Sequence, residues 1–200
     1  HRALPHAQAP ALMARLRALD STASRCLQFA VLTAARMNEA INAEWSEIDL
    51  AAGTWVVSAD KMKAGEEHRV DLPRQAIDIL EKQQGLSERW VFPSPMGTDQ
   101  PMSNMAMLLC LRRLAVQHLT TVHGLARGTF STWANETGAA RPDVIEAALA
   151  HREADLIRAA YNKAQFIAER RRLLQAWADY LDDKAPARNV VEFAAARVAA

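Results

Sequence analysis

Residues 45–72 read WSEIDLAAGTWVVSADKMKAGEEHRVDL. Three segments within them, Trp45–Leu50, Thr54–Ser58 and His68–Leu72, are short, partly alternating and rich in Val, Ile and Trp. Ala51-Ala52-Gly53 and Ala64-Gly65 separate them. Alternation interrupted by turn residues predicts a small antiparallel sheet of three strands. Both flanks have a helical period instead, so the expected fold is α+β and mainly α-helical.

Before the sheet, Leu12, Leu16 and Leu19 share one side of a helix expected over Ala11–Leu19. Ser21 or Thr22 then caps a second helix, expected to run to about Trp45. After the sheet, helices are expected from Pro73 to about Gln84, from Ser103 to about His118 and from Gly124 to Glu136. Three more are expected over Pro142–Ala150, Ala154–Tyr161 and Ile167–Leu181. Arg89–Pro95 reads as an extended stretch running into a Pro-rich loop. The division expected is a domain over 1–181 and a tail over 182–200, flexible or partner-binding.

Bulk properties narrow the function little. Half of the 200 residues are hydrophobic, and the net charge is +1. A core is affordable, no apolar run spans a bilayer, and the first residues do not read as a signal peptide. The start reads as a cut through a linker of a longer protein. Cys26 and Cys110 read as small buried hydrophobes, which suits a reducing, cytoplasmic setting. No Cys/His cluster has zinc-ligand spacing, so no metal is expected.

Four places carry chemistry. Arg36, in Leu32-Thr33-Ala34-Ala35-Arg36, falls near an apolar stripe with Glu39 one turn later; a structural ion pair explains it as well as a site does. The hairpin Lys61-Met62-Lys63-Ala64-Gly65 places a Lys at a strand end, in a groove or in a solvated turn. His123 and Arg127 open a helix, whose N-terminus suits a phosphate. His151 precedes Tyr161 by ten residues. A lone Tyr is usually a core residue, and Tyr180 reads as such.

The order Arg, hairpin Lys, His–Arg, His, Tyr resembles the catalytic domain of the tyrosine recombinases, in the branch of phage and genomic-island integrases. The resemblance runs from about Ala11 to Leu181. Its phrases are Leu32-Thr33-Ala34-Ala35-Arg36, Met62-Lys63-Ala64-Gly65, Thr121-Val122-His123-Gly124 and Ala148-Leu149-Ala150-His151. It implies an integrase-like fold and site-specific recombination of double-stranded DNA without a cofactor. It implies that Arg36 and Arg127 clamp the scissile phosphate and that Lys63 protonates the leaving 5′ oxygen. His123 and His151 then assist at the phosphate, Tyr161 is the nucleophile, and Glu39 supports Arg36. It also implies a tetramer on attachment sites, in the bacterial cytoplasm and on the nucleoid. Accessory DNA-bending or excision factors are implied as partners, and the segment after Tyr161 is expected to pack on a neighbour.

One spacing departs from the family, which separates this His and Arg by two residues. Here three lie between His123 and Arg127. Either a local bulge returns His123 to the site, or Gly124 occupies the usual His position.

These residue types suit phosphoryl transfer. Guanidiniums present planar, permanently charged donors to the negative charge that builds on the phosphate. A Tyr hydroxyl, with a reference pKa of about 10, needs such neighbours to become a nucleophile. A phosphotyrosine conserves the energy of the broken bond, which agrees with the lack of a Walker-type loop. Between Arg152 and Arg172, six bases face three acids, a local excess consistent with DNA or with a solvated helical face. Three alternatives stay open: a catalytically silent DNA-binding or regulatory module, a type IB topoisomerase-like enzyme, and a helical scaffold.

Overall fold

A computed structural model of the chain describes residues 1–62, 65–151 and 166–182. The expected helix at Ala154–Tyr161, the tail beyond Asp182, Lys63 and Tyr161 lie outside them.

The described residues form a mainly helical domain with a small three-stranded antiparallel sheet. Helices α1 (Ala9–Ala18), α2 (Thr22–Thr33) and α3 (Met37–Ile41) lead into strands β1 (Ile48–Asp49), β2 (Thr54–Val57) and β3 (His68–Asp71). Helix α4 (Arg74–Gln83) follows, then a two-stranded sheet of β4 (Pro93–Ser94) and β5 (Gly97–Pro101). Helix α5 (Ala106–Arg113), a π-turn at Gly124–Gly128, α6 (Thr129–Glu136), α7 (Pro142–Ala148) and α8 (Ile167–Asp182) complete the order.

Helix α2 is the hub. Ser21 caps it by accepting the Ser24 amide at 3.2 Å, one of the donors a helix start leaves open. Its residues are buried almost all round, because α1, α3, α4, α5, the π-turn and α8 all pack on it. Phe29 joins it to β2 and to the residue before β4, with ring centroids 5.1 Å from Trp55 and 5.4 Å from Phe92.

Three expectations are corrected. The second helix does not run on to Trp45. It stops at Thr33, with Ala34 left-handed at φ 52°, and Arg36 begins α3. The amides of Ala34 and Ala35 turn back to Val31 and Ala30, a Schellman closure with alanine where glycine is usual. The helix from Ser103 covers only Ala106–Arg113 and closes in the same way at Ala115, φ 56°. The Pro-rich loop after Arg89 contains the second sheet, in which Pro93 pairs with Pro101. Helix α8 packs on its own chain: Leu173, Leu174, Trp177 and Leu181 are buried, and Trp177 Nε1 donates to Val31 O at 2.8 Å.

The sheet positions the site through its pleat. Val57 and Val70 are buried, and Val57 pairs with His68. Residues paired across an antiparallel ladder share a face, so His68 points inward with Val57 and Val70.

Candidate active site

The cleft lies where the C-terminal ends of α2 and α7 meet the start of α3 and the π-turn. Arg36 is the N-cap of α3, and Glu39 fixes it twice. One carboxylate oxygen accepts the Arg36 amide at 2.8 Å, and the other accepts Nη1 at 2.7 Å. Glu39 is buried, while the Arg36 side chain is 22% exposed at the rim. Its Nη2 donates to Ala150 O at 3.3 Å.

Arg127 comes from the π-turn and is 4% exposed. Nη1 donates to Ala34 O at 2.7 Å, and Nη2 donates to Leu149 O at 2.6 Å. These carbonyls belong to the left-handed closures at Ala34 and Ala150, both at helix C-termini with negative dipole ends. They offset the cost of burying the guanidinium. Burial, then the neighbouring Arg36, push Arg127 down to about 10, so it stays cationic at neutral pH. Its Nε has no hydrogen-bond partner among the described residues.

His151 lies at the mouth. Its Nε2 is 2.8 Å from Arg127 Nη2, and its Nδ1 is 2.7 Å from Glu146 Oε2. Arg127 can only donate, so Nε2 accepts and Nδ1 carries the proton toward Glu146. His123 stands on the turn that carries Arg127. Burial, then Arg127, Arg36, the chain's amino terminus and His151, lower its pKa.

The structure thus brings Arg36, Glu39, Arg127 and His151 to one place from three distant stretches of sequence, while the His123 ring, one turn before Arg127, packs on His1 with centroids 4.4 Å apart. Lys63 and Tyr161 fall outside the described residues. Lys61, the other hairpin lysine, is bound elsewhere, to Glu44 at 2.9 Å and Glu47 at 2.8 Å.

Two further residues belong to this cleft and escaped the sequence reading. Glu146 orients His151; the only sequence signal is its place five residues earlier, closed by the His151 amide on Glu146 O. His68 lines the cleft with Arg127 and Glu39. Burial, then Arg170, Arg127 and Arg36, push it down to about 4, against a hydrogen bond to the Ala148 backbone. Alternation with Val70 was the signal available for it.

Arg36 and Arg127 set two cations beside imidazoles, the residue types whose charge and donors meet a phosphodiester. Among the described residues no group of His, Cys, Asp or Glu is arranged to hold a metal ion, and no helix is long and apolar enough to cross a membrane.

Comparison with known proteins accords with this geometry. The model of the phage integrase family matches residues 2–167. The chain is 40% identical over 176 residues to prophage integrase IntA of Escherichia coli K12, covering 86% of this chain and 42% of that protein. It is 37% identical over 182 residues to prophage integrase IntZ of the same strain, covering 90% and 44%. It is 31% identical over 186 residues to the integrase of Shigella phage Sf6, covering 90% and 48%. It therefore spans less than half the length of each of these relatives. No solved structure gives a significant match. The arginine-centred cleft and the family match along most of the sequence lead to one assignment: the chain belongs to the phage integrase family.

Proposed function

We propose that this chain is the catalytic domain of a site-specific recombinase that cuts and rejoins duplex DNA through a 3′-phosphotyrosine bond to Tyr161. The observation that carries the reading is the convergence of Arg36 and Arg127 on one cleft, with His151 on Arg127. Relatives named integrases support it.

In this reading the two guanidiniums hold the non-bridging oxygens of the scissile phosphate. Their charge is fixed before the reaction, so little reorganisation is needed as negative charge builds. The Tyr161 oxygen attacks phosphorus while His123 or His151 assists transfer of its proton. The 5′ oxygen leaves with a proton from Lys63. Attack by a 5′ hydroxyl of the partner strand reverses the step, forms the new phosphodiester and frees Tyr161. Glu39 holds Arg36, and Glu146 holds His151. Double-stranded attachment sites, a tetramer assembled on them and accessory DNA-bending or excision factors belong to the same proposal.

The test is covalent trapping on a nicked attachment-site duplex, using the whole protein that carries this chain. Tyr180 is the control, because its hydroxyl lies 2.9 Å from His6 Nδ1 and its ring stacks on Trp177. A denaturation-resistant adduct is expected from the unsubstituted protein and from Tyr180→Phe, and none from Tyr161→Phe. A site-binding protein that forms no adduct would sink this reading in favour of a silent DNA-binding module.

A further inference from the structure

The turn that carries Arg127 is a π-turn. The Thr129 amide donates to Gly124 O, five residues back. Such a turn holds one residue more than an α-turn and recurs at functional sites. Three residues lie between His123 and Arg127, one more than the resemblance implies.

Two glycines make room against this turn for the first residues of the chain. A Cβ on Gly124 would meet Arg2 O at 1.8 Å and Arg2 C at 2.5 Å, and one on Gly128 would meet the Ala3 Cβ at 3.0 Å. Position 124 therefore faces the backbone of residue 2 and has no room for a side chain, a His included.

Hydrogen bonds bind the two segments together. Arg2 O accepts the Thr121 amide at 3.3 Å and the Thr120 hydroxyl at 3.0 Å. The Arg2 guanidinium donates to His118 O. The buried Thr129 hydroxyl accepts the Leu4 amide at 3.1 Å and points its hydrogen at Leu4 O, 3.0 Å, and Gly124 O, 3.2 Å. Gly124 O is the carbonyl that closes the π-turn, so Thr129 ties the segment to that closure. The helix starts normally upstream, with Thr121 Oγ1 accepting the Gly124 amide at 2.9 Å. The extra residue is therefore taken up between His123 and Arg127.

We propose that Arg2–Leu4 is a positioning strut. Seated on Gly124 and Gly128, it holds residues 124–128 in the π form, and that form sets where His123, whose ring packs on His1 with centroids 4.4 Å apart, stands relative to Arg127. Gly124 and Thr129 are its positioning residues. The role of His123 at the phosphate rests on the proposed function; the strut itself rests on the packing.

The experiment has two readouts in the whole protein. One is the single-turnover rate of adduct formation on the nicked duplex, with DNA affinity measured alongside. The other is the ring NMR resonances of His123 without DNA, with His6 as an internal reference. Gly124→Ala and Thr129→Val are expected to shift the His123 resonances and leave those of His6, whose ring is held by Tyr180 and Glu136, near their place. They are expected to slow adduct formation by about tenfold or more while DNA affinity changes by less than about twofold. A loss of folding alone would reduce both together. Deleting Ala126 restores the family spacing and removes the need for a π-turn, so Thr129→Val in that background is expected to lose less than about twofold. The strut is overturned if Gly124→Ala and Thr129→Val leave the His123 resonances unmoved, and the role of His123 at the phosphate is overturned if His123→Ala forms adduct at the unsubstituted rate. Absence of an adduct from the unsubstituted protein overturns the chemical reading instead, and the ring resonances still decide the strut.

Discussion

Arg127 Nη2 and His151 Nε2 lie 2.8 Å apart across 24 residues of sequence. An arginine cannot accept, so this contact sets the histidine's tautomer. Nδ1 carries the hydrogen and donates it to Glu146 at 2.7 Å. The imidazole is held from both sides with its Nε2 lone pair toward the guanidinium.

Glu146 is thus expected to govern that tautomer. In Glu146→Ala, nitrogen-15 NMR of His151 should show a growing population protonated at Nε2, and adduct formation should fall by about tenfold, as when an orienting carboxylate is lost. An unchanged tautomer in Glu146→Ala would show that Arg127 alone sets it.

Arg36 and Glu39 are expected to be strongly coupled in a double-mutant cycle. Arg36→Ala leaves a buried carboxylate without its guanidinium, for a loss of about 1–3 kcal/mol in urea denaturation. Glu39→Gln in the same background should recover part of that loss by removing the buried charge. Additive effects of the two substitutions would deny the coupling.

His68 gives the fold a defined sensitivity to acid. Its pKa falls from 6.5 to about 4 on folding, because burial and three arginines oppose its charge. Between these values the unfolded chain binds more protons, so stability rises with pH. The contribution is complete above 6.5 and is lost as pH falls through 4, worth about 3 kcal/mol at most. His68→Gln should flatten stability between pH 7 and 4.5, measured by urea denaturation. An unaltered pH slope would refute the assignment.

Trp177 is expected to be a stability residue of a single chain. It is fully buried, stands 5.0 Å from Trp133 and 5.8 Å from Phe130 between ring centroids, and donates to Val31 O. Trp177→Ala should cost about 3–5 kcal/mol. The loss should not depend on protein concentration, since α8 packs within its own chain. A concentration-dependent midpoint would indicate exchange of this helix between chains.

Much of the architecture was legible in the chain itself. Alternation around Trp55 and Val70 marked the three-stranded sheet, and the leucines of α1 and α8 marked their buried faces, because pleat and helical turn impose their periods on any sequence that must bury one side. The residue order from Arg36 to Tyr161 marked the family. The sharp stops were not legible. Ala34, Ala115 and Ala150 take left-handed φ where a reader looks for glycine, because their closures are held by packing and, at Ala34 and Ala150, by carbonyls that flank the arginines. The second sheet hid behind Pro93 and Pro101 for a similar reason: local propensity argued against it.

The sequence by itself therefore determined the classes of element, their order and the residue types able to meet a phosphate, since these follow from local periodicity and side-chain chemistry. Only the tertiary structure decided that Arg36, Arg127 and His151 meet, that Glu146 and His68 join them, and that a π-turn carries Arg127. Those outcomes depend on which buried donor finds which carbonyl, a condition set by distant segments meeting and invisible in any one of them.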